Sequence, residues 1–386
     1  MNPKDYIKQE FAQIFGEQPQ RLFMSPGRVN LIGEHTDYNG GYVFPCALDF
    51  GTYGAARKRN DKLVNLVSGN FDLKCQINIG SIKYQAEHGW ANYPKGVINE
   101  IQKLGNKLDS GFDLFIWGDM PGSAGLSSSA SIELLTAVVV NGLFDLKISV
   151  KEMALLCQRA ENKFIGVNCG IMDQYAAAFG KKDNALLLDC QNIKHEYVPL
   201  KLSDCVIMIA NTNNKRSLAA TKYNERRSEC DAALALLKKT VGAEYLCAIG
   251  TDEFEANKHL IKDPVILKRA THAVYENART KEAVEVLGKG DIAAFGKMMN
   301  DSHVSLRDLY EVTGPELDAL AESAWQTEGV LGSRMTGAGF GGCTVSIVKA
   351  DAVDTFISKV GEEYKKRTGF EASFYKAGIG AGAREI

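Results

Sequence analysis

The sequence lacks the features that would mark a membrane, secreted or nucleic-acid-binding protein. Its 386 residues carry a formal net charge of −2, so there is no basic excess for binding nucleic acid. The short cationic run 57–59 is interpreted as a solvated turn. The longest apolar stretch, near residues 137–140, is far too short to cross a bilayer. No apolar segment follows residues 1–5, so we expect no secretory signal and a soluble, cytoplasmic protein.

Metal-binding and disulfide patterns are also missing. Nine cysteines are scattered irregularly from Cys46 to Cys343, and no two form a C-x-x-C pair. The six histidines are equally dispersed and show no metal-ligand spacing. We therefore expect reduced thiols and no zinc site. The nucleotide-binding string G-x-x-x-x-G-K-S/T is absent as well, which excludes the P-loop of the common nucleotide hydrolases.

What is present is the composition of a large globular protein, with 45% apolar and 24% charged residues. The chain is too long for one ordinary core, so we predict an N-terminal domain over 1–200 and a C-terminal domain over 201–386. Strand and helix patterns mix without strict βαβ alternation, which favours an α+β fold over a doubly wound sheet.

Hydrophobic periodicity places the predicted elements. Helical spacing occurs at 4–16, 93–104, 127–143, 150–164, 218–239, 264–287, 291–309, 314–328 and 351–367. Strand patterns occur at 21–25, 42–44, 52–55, 64–67, 76–79, 112–117, 205–210 and 343–348. The first of these strands is expected to enter a turn at Pro26-Gly27.

The segment 121–131, Pro-Gly-Ser-Ala-Gly-Leu-Ser-Ser-Ser-Ala-Ser, is the best local candidate for binding phosphate. A strand ends before it and an apolar helix begins within its serines. Free backbone N–H groups and the helix dipole make such a helix start an anion site. Gly122 and Gly125 would let a phosphate approach the backbone, and a serine hydroxyl could bind Mg²⁺. The alternative is a plain serine cap on a buried helix.

The sequence contains two other glycine-rich segments. Residues 337–342 match G-x-G-x-x-G, but they run into a strand pattern instead of opening a helix, which argues against a dinucleotide site. A tight loop beside an active site is the better interpretation. The second segment, 378–382, is interpreted as a strand end without a function.

The segment 26–41 gathers hydrogen-bonding side chains around turn glycines: Arg28, Glu34, His35, Asp37, Tyr38 and Asn39. Converging carboxylate, amide and imidazole groups are typical of a loop that binds a polar ligand such as a sugar. From the residues alone, an ordinary polar surface loop explains the pattern equally well.

The motifs together resemble the galactokinase family. Residues 28–38, Arg-Val-Asn-Leu-Ile-Gly-Glu-His-Thr-Asp-Tyr, are similar to the galactokinase signature. Residues 121–131 resemble the ATP motif of the wider galactokinase, homoserine kinase, mevalonate kinase and phosphomevalonate kinase (GHMP) superfamily, and 334–343 resemble its third motif. Residues 169–174 and 223–227 also fit galactokinases. The matches occur in the expected order over essentially the whole chain.

The resemblance implies a set of sugar-binding and catalytic residues. Those contacting galactose would be Glu34, His35, Thr36, Asp37, Gly170, Asp173 and Tyr223. Asp37 would lie near the axial 4-hydroxyl. Asp173 would be the catalytic carboxylate, with Arg28 beside it and beside the migrating phosphoryl group.

The resemblance also implies a site for MgATP. Residues around the phosphates would be Ser123, Ala124, Gly125, Leu126, Ser127, Ser128 and Ser129, with Ser68 and Trp90 beside the adenosine. Ser129 and Glu161 would hold Mg²⁺. Relatives usually carry glycine where this chain has Ser123, so the loop contacts of Gly122 and Ser123 are expected to differ.

The implied fold has an N-terminal domain like ribosomal protein S5 domain 2, a C-terminal ferredoxin-like domain, and the active site in the cleft between them. The implied reaction moves the γ-phosphate of MgATP to the 1-hydroxyl of galactose, the first committed step of galactose catabolism in the Leloir pathway. An N-acetylgalactosamine kinase and a non-catalytic galactose sensor are the alternatives. We expect the protein to bind small-molecule substrates, to have no nucleic-acid or membrane partner, and to be a monomer.

Overall fold

The computed structural model describes residues 2–121, 125–214 and 219–386. Its helices are α1 (Pro3–Phe15), α2 (Asn92–Lys103), α3 (Ser128–Phe144), α4 (Val150–Ala160), α5 (Met172–Phe179), α6 (Ala219–Val241), α7 (Thr251–Asn257), α8 (Pro264–Gly288), α9 (Ile292–Ser305), α10 (Gly314–Trp325) and α11 (Val353–Thr368). Its strands are β1 (Arg21–Asn30), β2 (Tyr42–Val43), β3 (Pro45–Lys58), β4 (Leu63–Ser68), β5 (Cys75–Asn78), β6 (Phe112–Gly118), β7 (Asn184–Asp189), β8 (Lys194–Pro199), β9 (Cys205–Asn211), β10 (Val330–Thr336), β11 (Cys343–Lys349), β12 (Ser373–Ala377) and β13 (Arg384–Glu385).

The N-terminal part is built on a six-stranded sheet in the order β13-β1-β3-β6-β4-β5. The apolar helix α3 and the amphipathic helices α2 and α4 pack together, and α3 also packs on β1 and β3. The turn expected at Pro26-Gly27 is wrong, because β1 continues through it to Asn30. Its register against β3 slips between Pro26 and Arg28, and proline, which has no N–H to donate, is tolerated at such an irregularity. The continued strand brings Arg28 to the site described below.

The C-terminal part contains a four-stranded antiparallel sheet in the order β10-β11-β9-β12. Helices α6 to α10 lie between β9 and β10 in the chain, and α11 lies between β11 and β12. This is the β-α-β-β-α-β connection of a ferredoxin-like fold, elaborated by additional helices. Together with the first sheet it confirms the α+β class.

The two parts share buried surface. One apolar cluster joins Val29 and Phe44 of the first part to Ile207, Phe295 and Cys343 of the second. The C-terminal strand β13 also returns to pair with β1. A domain boundary near residue 200 therefore stays a prediction.

Two helices, α4 and α9, continue into unusual turns. After α4 the chain makes a π-helical turn over Glu161–Ile165, and after α9 a second one over Leu306–Tyr310. Such turns insert an extra residue into the helical ladder and are frequent at functional sites. In the part of the chain that the structure describes, no helix combines the length and apolarity needed to cross a bilayer.

Candidate active site

A cavity of about 320 Å³ lies where β1, the start of α3, the start of α5 and the loop after β10 meet. It brings together segments that are far apart in the sequence. The lining residues are Arg28, Glu34, His35, Asp37, Tyr93, Gly125, Ser127, Ser128, Ser129, Glu161, Val167, Cys169, Gly170, Met172, Asp173, Tyr223, Gly337 and Ala338.

Arg28 and Asp173 form a bidentate ion pair in this cavity. Arg28 Nε donates to Asp173 Oδ1 at 2.9 Å and Nη2 donates to Oδ2 at 3.0 Å. Ser127 Oγ donates to Oδ2 at 2.5 Å, and Arg28 Nη1 donates to the Gly125 carbonyl. Burial lowers the pKa of Arg28, but the nearby carboxylates of Asp173, Glu34 and Asp37 outweigh it and hold the pKa above its usual value, so the guanidinium stays charged. The pair therefore presents a fixed cation and a carboxylate side by side.

Glu34 connects the signature loop to the glycine loop after β10. Its Oε1 accepts from the Gly337 backbone N–H at 2.7 Å and from Arg334 Nη1 at 3.4 Å. Burial raises the pKa of Glu34, while Arg334 and Arg28 act against that rise. A side chain at Gly337, whose φ is +86°, would meet the Gly125 carbonyl at 2.8 Å. Glycine there lets the loop close over the cavity, as expected for a tight loop beside an active site.

Asp37 packs against Gly170 in the wall of the cavity. The Met172 backbone N–H donates to Asp37 Oδ2 at 3.4 Å. Burial raises the pKa of Asp37 to about 6, and Asp173 raises it further. A Cβ at position 170 would lie 2.0 Å from Asp37 Oδ2, so only glycine fits. A hydroxyl donor from a bound sugar would relieve the cost of burying this carboxylate.

His35 and Tyr223 complete this side, whereas Thr36 supports it from behind. His35 has φ +62° and its ring lies 5.6 Å from the Tyr223 ring. The Thr36 hydroxyl donates to the Gly33 and Tyr42 carbonyls, and Thr36 does not line the cavity. Thr36 therefore holds the loop shape, and a contact of its side chain with sugar stays a prediction.

The serine-rich helix start faces the same cavity. Ser127 precedes α3 with φ +61°, and its side chain bonds Asp173 instead of capping the helix. The first N–H groups of α3, at Ser128 and Ser129, are therefore left for an anion. Leu126 is buried in an apolar cluster and its carbonyl accepts from Arg28 N, so it contributes backbone only.

Glu161 lies in the π-helical turn after α4, at the edge of the cavity. Gln174 Nε2 donates to Glu161 Oε2 at 2.7 Å and to the fully buried Glu133 Oε2 at 3.1 Å. Burial and Asp173 raise the pKa of Glu161 to about 7, while a hydrogen bond from Ser129 lowers it. Burial and Glu161 likewise raise the pKa of Glu133, whose Oε1 has no partner among the described residues.

This donor set fits Mg²⁺. The ion prefers hydroxyl and carboxylate oxygens and usually takes only one or two protein carboxylates. Ser129 and Glu161 supply such oxygens, and a cation there would relieve the crowding of Glu161 and Glu133. No group of three or more His, Cys, Asp or Glu side chains in the described ranges forms an all-protein metal cage.

The other residues predicted to bind the nucleotide either do not line the cavity or lie outside the residues that the structure describes. Ser123 and Ala124 lie outside the described residues, as does Gly122. Trp90 Nε1 donates to the Leu73 carbonyl, and Ser68 Oγ accepts from the Asn70 N–H. Neither lines the cavity, so their contact with adenosine stays a prediction.

Sequence reasoning missed three residues of this centre. Tyr93 and Val167 line the cavity, and Glu133 lies behind Glu161. A signal for Glu133 was available, because a glutamate inside the strongly apolar pattern of 127–143 must find a polar partner. Nothing in the local pattern of Tyr93, at the start of a helix, separates it from a core tyrosine.

Comparison with known protein families identifies the class of protein to which this fold and this cavity belong. Residues 92–181 match the N-terminal domain of GHMP kinases and residues 283–366 match the GHMP kinase C-terminal domain. Residues 9–58 match the galactokinase galactose-binding signature.

Comparison with individual proteins identifies the family within this class. The chain is 58% identical to a galactokinase of Fusobacterium nucleatum over 98% of each chain, and 52% identical to that of Bacillus subtilis over 99% of each. A crystal structure of Lactococcus lactis galactokinase complexed with galactose superimposes with a TM-score of 0.97 at 47% identity, covering 99% of this chain and 100% of that one. The protein belongs to the galactokinase family, and it is an ATP-dependent sugar kinase that uses Mg²⁺.

Proposed function

We propose that this protein transfers the γ-phosphate of MgATP to the 1-hydroxyl of galactose, giving galactose 1-phosphate and ADP. The observation that carries the proposal is the bidentate Arg28–Asp173 pair beside the open start of α3. It combines an anion site, a fixed cation and a carboxylate acceptor within one cavity. Phosphoryl transfer needs this combination, because its catalysis is mostly positioning and charge stabilisation.

Asp173 accepts the proton of the 1-hydroxyl as the new P–O bond forms. Ser127 and Arg28 fix the orientation of this carboxylate through three hydrogen bonds. Arg28 also stabilises the negative charge that develops on the phosphoryl group. Because Arg28 is 2% exposed, water screens this interaction little.

Glu34, His35, Asp37, Gly170 and Tyr223 bind the sugar. Carboxylates accept hydrogen bonds from sugar hydroxyls, and the raised pKa of Asp37 indicates a carboxylate that gains from a hydroxyl donor. Galactose differs from glucose only in its axial 4-hydroxyl, and we assign recognition of that hydroxyl to Asp37. Gly170 leaves the space in which Asp37 lies.

Residues 125–129 hold the phosphates through backbone N–H groups and serine hydroxyls, and Ser129 with Glu161 holds Mg²⁺. The bound ion supplies charge neutralisation on the phosphates. Gln174 orients Glu161 for this role through the 2.7 Å hydrogen bond. In this proposal the protein is a monomer that acts in the cytoplasm. The cytoplasmic location is supported by the cysteines, which form no disulfide among the described residues.

A coupled assay of ADP release with galactose, glucose and N-acetylgalactosamine under saturating MgATP tests the function. We expect kcat/KM for galactose to exceed that for glucose by about 10²-fold or more, because glucose leaves buried polar groups unpaired. Asp37→Ala should remove most activity, whereas Tyr223→Phe should act more mildly. Preferred turnover of N-acetylgalactosamine would establish the sister kinase, and no turnover of any sugar would establish a sensor.

A further inference from the structure

A chain of three hydrogen bonds leads from the sugar side of the cavity into the core. His35 Nδ1 lies 2.9 Å from Tyr38 Oη, which lies 2.7 Å from Tyr310 Oη. Tyr310 Oη lies 3.1 Å from Cys230 Sγ. Tyr310 and Cys230 are fully buried. At the cavity end, His35 Nε2 is buried and has no hydrogen-bond partner among the described residues.

Every member of this chain is neutral near pH 7. Burial and the nearby His272 lower the pKa of His35 to about 3. Burial raises the pKa of Cys230 to about 11 and the pKa values of Tyr38 and Tyr310 well above their usual range. A neutral imidazole carries one N–H, and each hydroxyl or thiol carries one hydrogen. If all three hydrogen bonds form, every group therefore donates to its neighbour in the same sense along the chain.

The two possible directions of donation differ in whether the thiol hydrogen of Cys230 has an acceptor. If the thiol donates to Tyr310, then Tyr310 donates to Tyr38, Tyr38 donates to His35 Nδ1, and the ring hydrogen is on Nε2. In the reverse direction the thiol hydrogen loses its acceptor, since Tyr310 Oη is the acceptor found for it within the described residues. Asn39 contacts the thiol as a donor and so offers no replacement. In the first direction the only hydrogen of the chain without a partner among the described residues is that on Nε2 of His35, a residue that lines the cavity, where a ligand can accept it. In the reverse direction the thiol hydrogen in the core and the bare Nε2 both lack a partner, and buried polar groups rarely go unpaired, which favours the first direction.

The backbone beside the ring agrees with this assignment. Burial is the main influence lowering the pKa of His35, but the Ala338 backbone opposes it. A backbone group raises an imidazole pKa by accepting hydrogen, so Ala338, which lines the cavity, favours a ring N–H on its own side of the imidazole. Glu34 and Asp37, the neighbouring carboxylates, can only accept when ionised. A donor at His35 would complement them.

We propose that Tyr38, held by Tyr310 and Cys230, is a positioning residue that fixes His35 as the Nε2–H tautomer, so that the pocket offers a sugar oxygen one N–H donor beside its carboxylate acceptors. The identity of the ligand rests on the proposed function. A sugar hydroxyl can then donate to a carboxylate and accept from His35 at once, which uses both of its hydrogen-bonding capacities. A ligand oxygen without a hydrogen would satisfy His35 but not the carboxylates.

Ring ¹⁵N NMR of the ligand-free protein with labelled histidine tests the tautomer. Comparison with His35→Gln assigns the His35 signals among the six histidines. We expect a bare, hydrogen-bonded Nδ1 and a protonated Nε2 at neutral pH. A protonated Nδ1 would overturn the proposal. No sugar is present in this measurement, so failure to phosphorylate galactose would refute the proposed function and leave the tautomer result standing.

Kinetics test the consequence for binding. Tyr38→Phe removes the donor to Nδ1, so the galactose KM should rise about tenfold while kcat and the MgATP KM stay unchanged. Tyr310→Phe should give a smaller rise in the galactose KM, because Tyr38 still donates to His35. If the Tyr38→Phe variant does not fold, Tyr310→Phe is used in its place. The matched control is Tyr364→Phe, which loses a buried hydroxyl that donates to the Thr212 carbonyl away from the cavity. A folded Tyr38→Phe variant with unchanged galactose KM contradicts the proposal.

Discussion

Exchanging Asp173 for asparagine changes the charge of the candidate base with almost no change of shape. In the ligand-free protein both carboxylate oxygens are engaged, one by Arg28 alone and the other by Arg28 and Ser127. The amide in Asp173→Asn keeps one acceptor oxygen and places an N–H₂ group against one of these donors. The variant therefore loses the proton acceptor and weakens the partner of a buried cation.

The loss of stability follows from the exposure of the pair. Removing one partner of a fully buried ion pair costs about 3–5 kcal/mol. Here Arg28 is nearly inaccessible, but the Asp173 side chain is 30% exposed and its amide replacement retains one bond. We therefore expect the free energy of unfolding of Asp173→Asn to fall by about 2 kcal/mol. The kcat should fall by a factor of about 10² to 10⁴, the usual contribution of a positioned acid or base.

The assay combines kcat at saturating galactose and MgATP with urea unfolding in the same buffer. Asp113→Asn is the matched control, because Asp113 is fully buried, pairs with Arg57 and Arg59, and does not line the cavity. It should lose stability and keep kcat. Near-normal kcat in Asp173→Asn would remove this residue from the chemistry, and an equal rate loss in Asp113→Asn would attribute both losses to stability.

Two further predictions concern Glu161 and Gly170. Because burial and Asp173 raise the pKa of Glu161 to about 7, a substantial fraction of the molecules carries a protonated Glu161 at pH 7, and bound Mg²⁺ would favour the ionised form. MgATP binding at pH 7 should therefore release more protons from the wild type than from Glu161→Gln, with an excess of at most about one proton that grows at lower pH and vanishes well above pH 7. Calorimetry in two buffers measures the release, and equal release by both proteins would contradict Glu161 as a ligand. Gly170→Ala must displace Asp37, so it should raise the galactose KM by at least about tenfold and leave the MgATP KM unchanged. Gly288→Ala, where a Cβ meets nothing within 4 Å, is its control, and similar galactose KM values in the two variants would refute the argument.

Local pattern predicted the elements whose residues repeat with a clear period. The apolar run 127–143 became α3, and the alternation at 343–348 became β11. The hairpin of β7 and β8 was missed, as was the short helix α5, whose eight residues are too few to display a period. Pro26-Gly27 was read as a turn because local chemistry favours one, whereas pairing with β3 keeps the strand going.

The candidate site was predicted through family resemblance more than through local chemistry. The 145-residue separation of Arg28 and Asp173 carries no signal of their contact. Glu161 was named, but the π-helical turn that carries it was not, since one extra residue in a helical ladder leaves no mark in apolar spacing. The hydrogen-bond chain behind His35 depends on three separate segments meeting in the core, so only tertiary structure reveals it.

The pairing of β13 with β1 has a consequence for the folding of the protein during its synthesis on the ribosome. Phe23 and Met24 find their partners at Glu385 and Arg384, more than 350 residues later in the chain. This edge of the first sheet therefore stays unpaired until residues 384–385 have been synthesised, and unpaired edges of this kind favour association with other chains. Closing so long a loop is also slow relative to local folding. The strand that carries Arg28 therefore obtains its second neighbour only after residues 384–385 have been made, so the first sheet reaches its full width long after the synthesis of the strand itself.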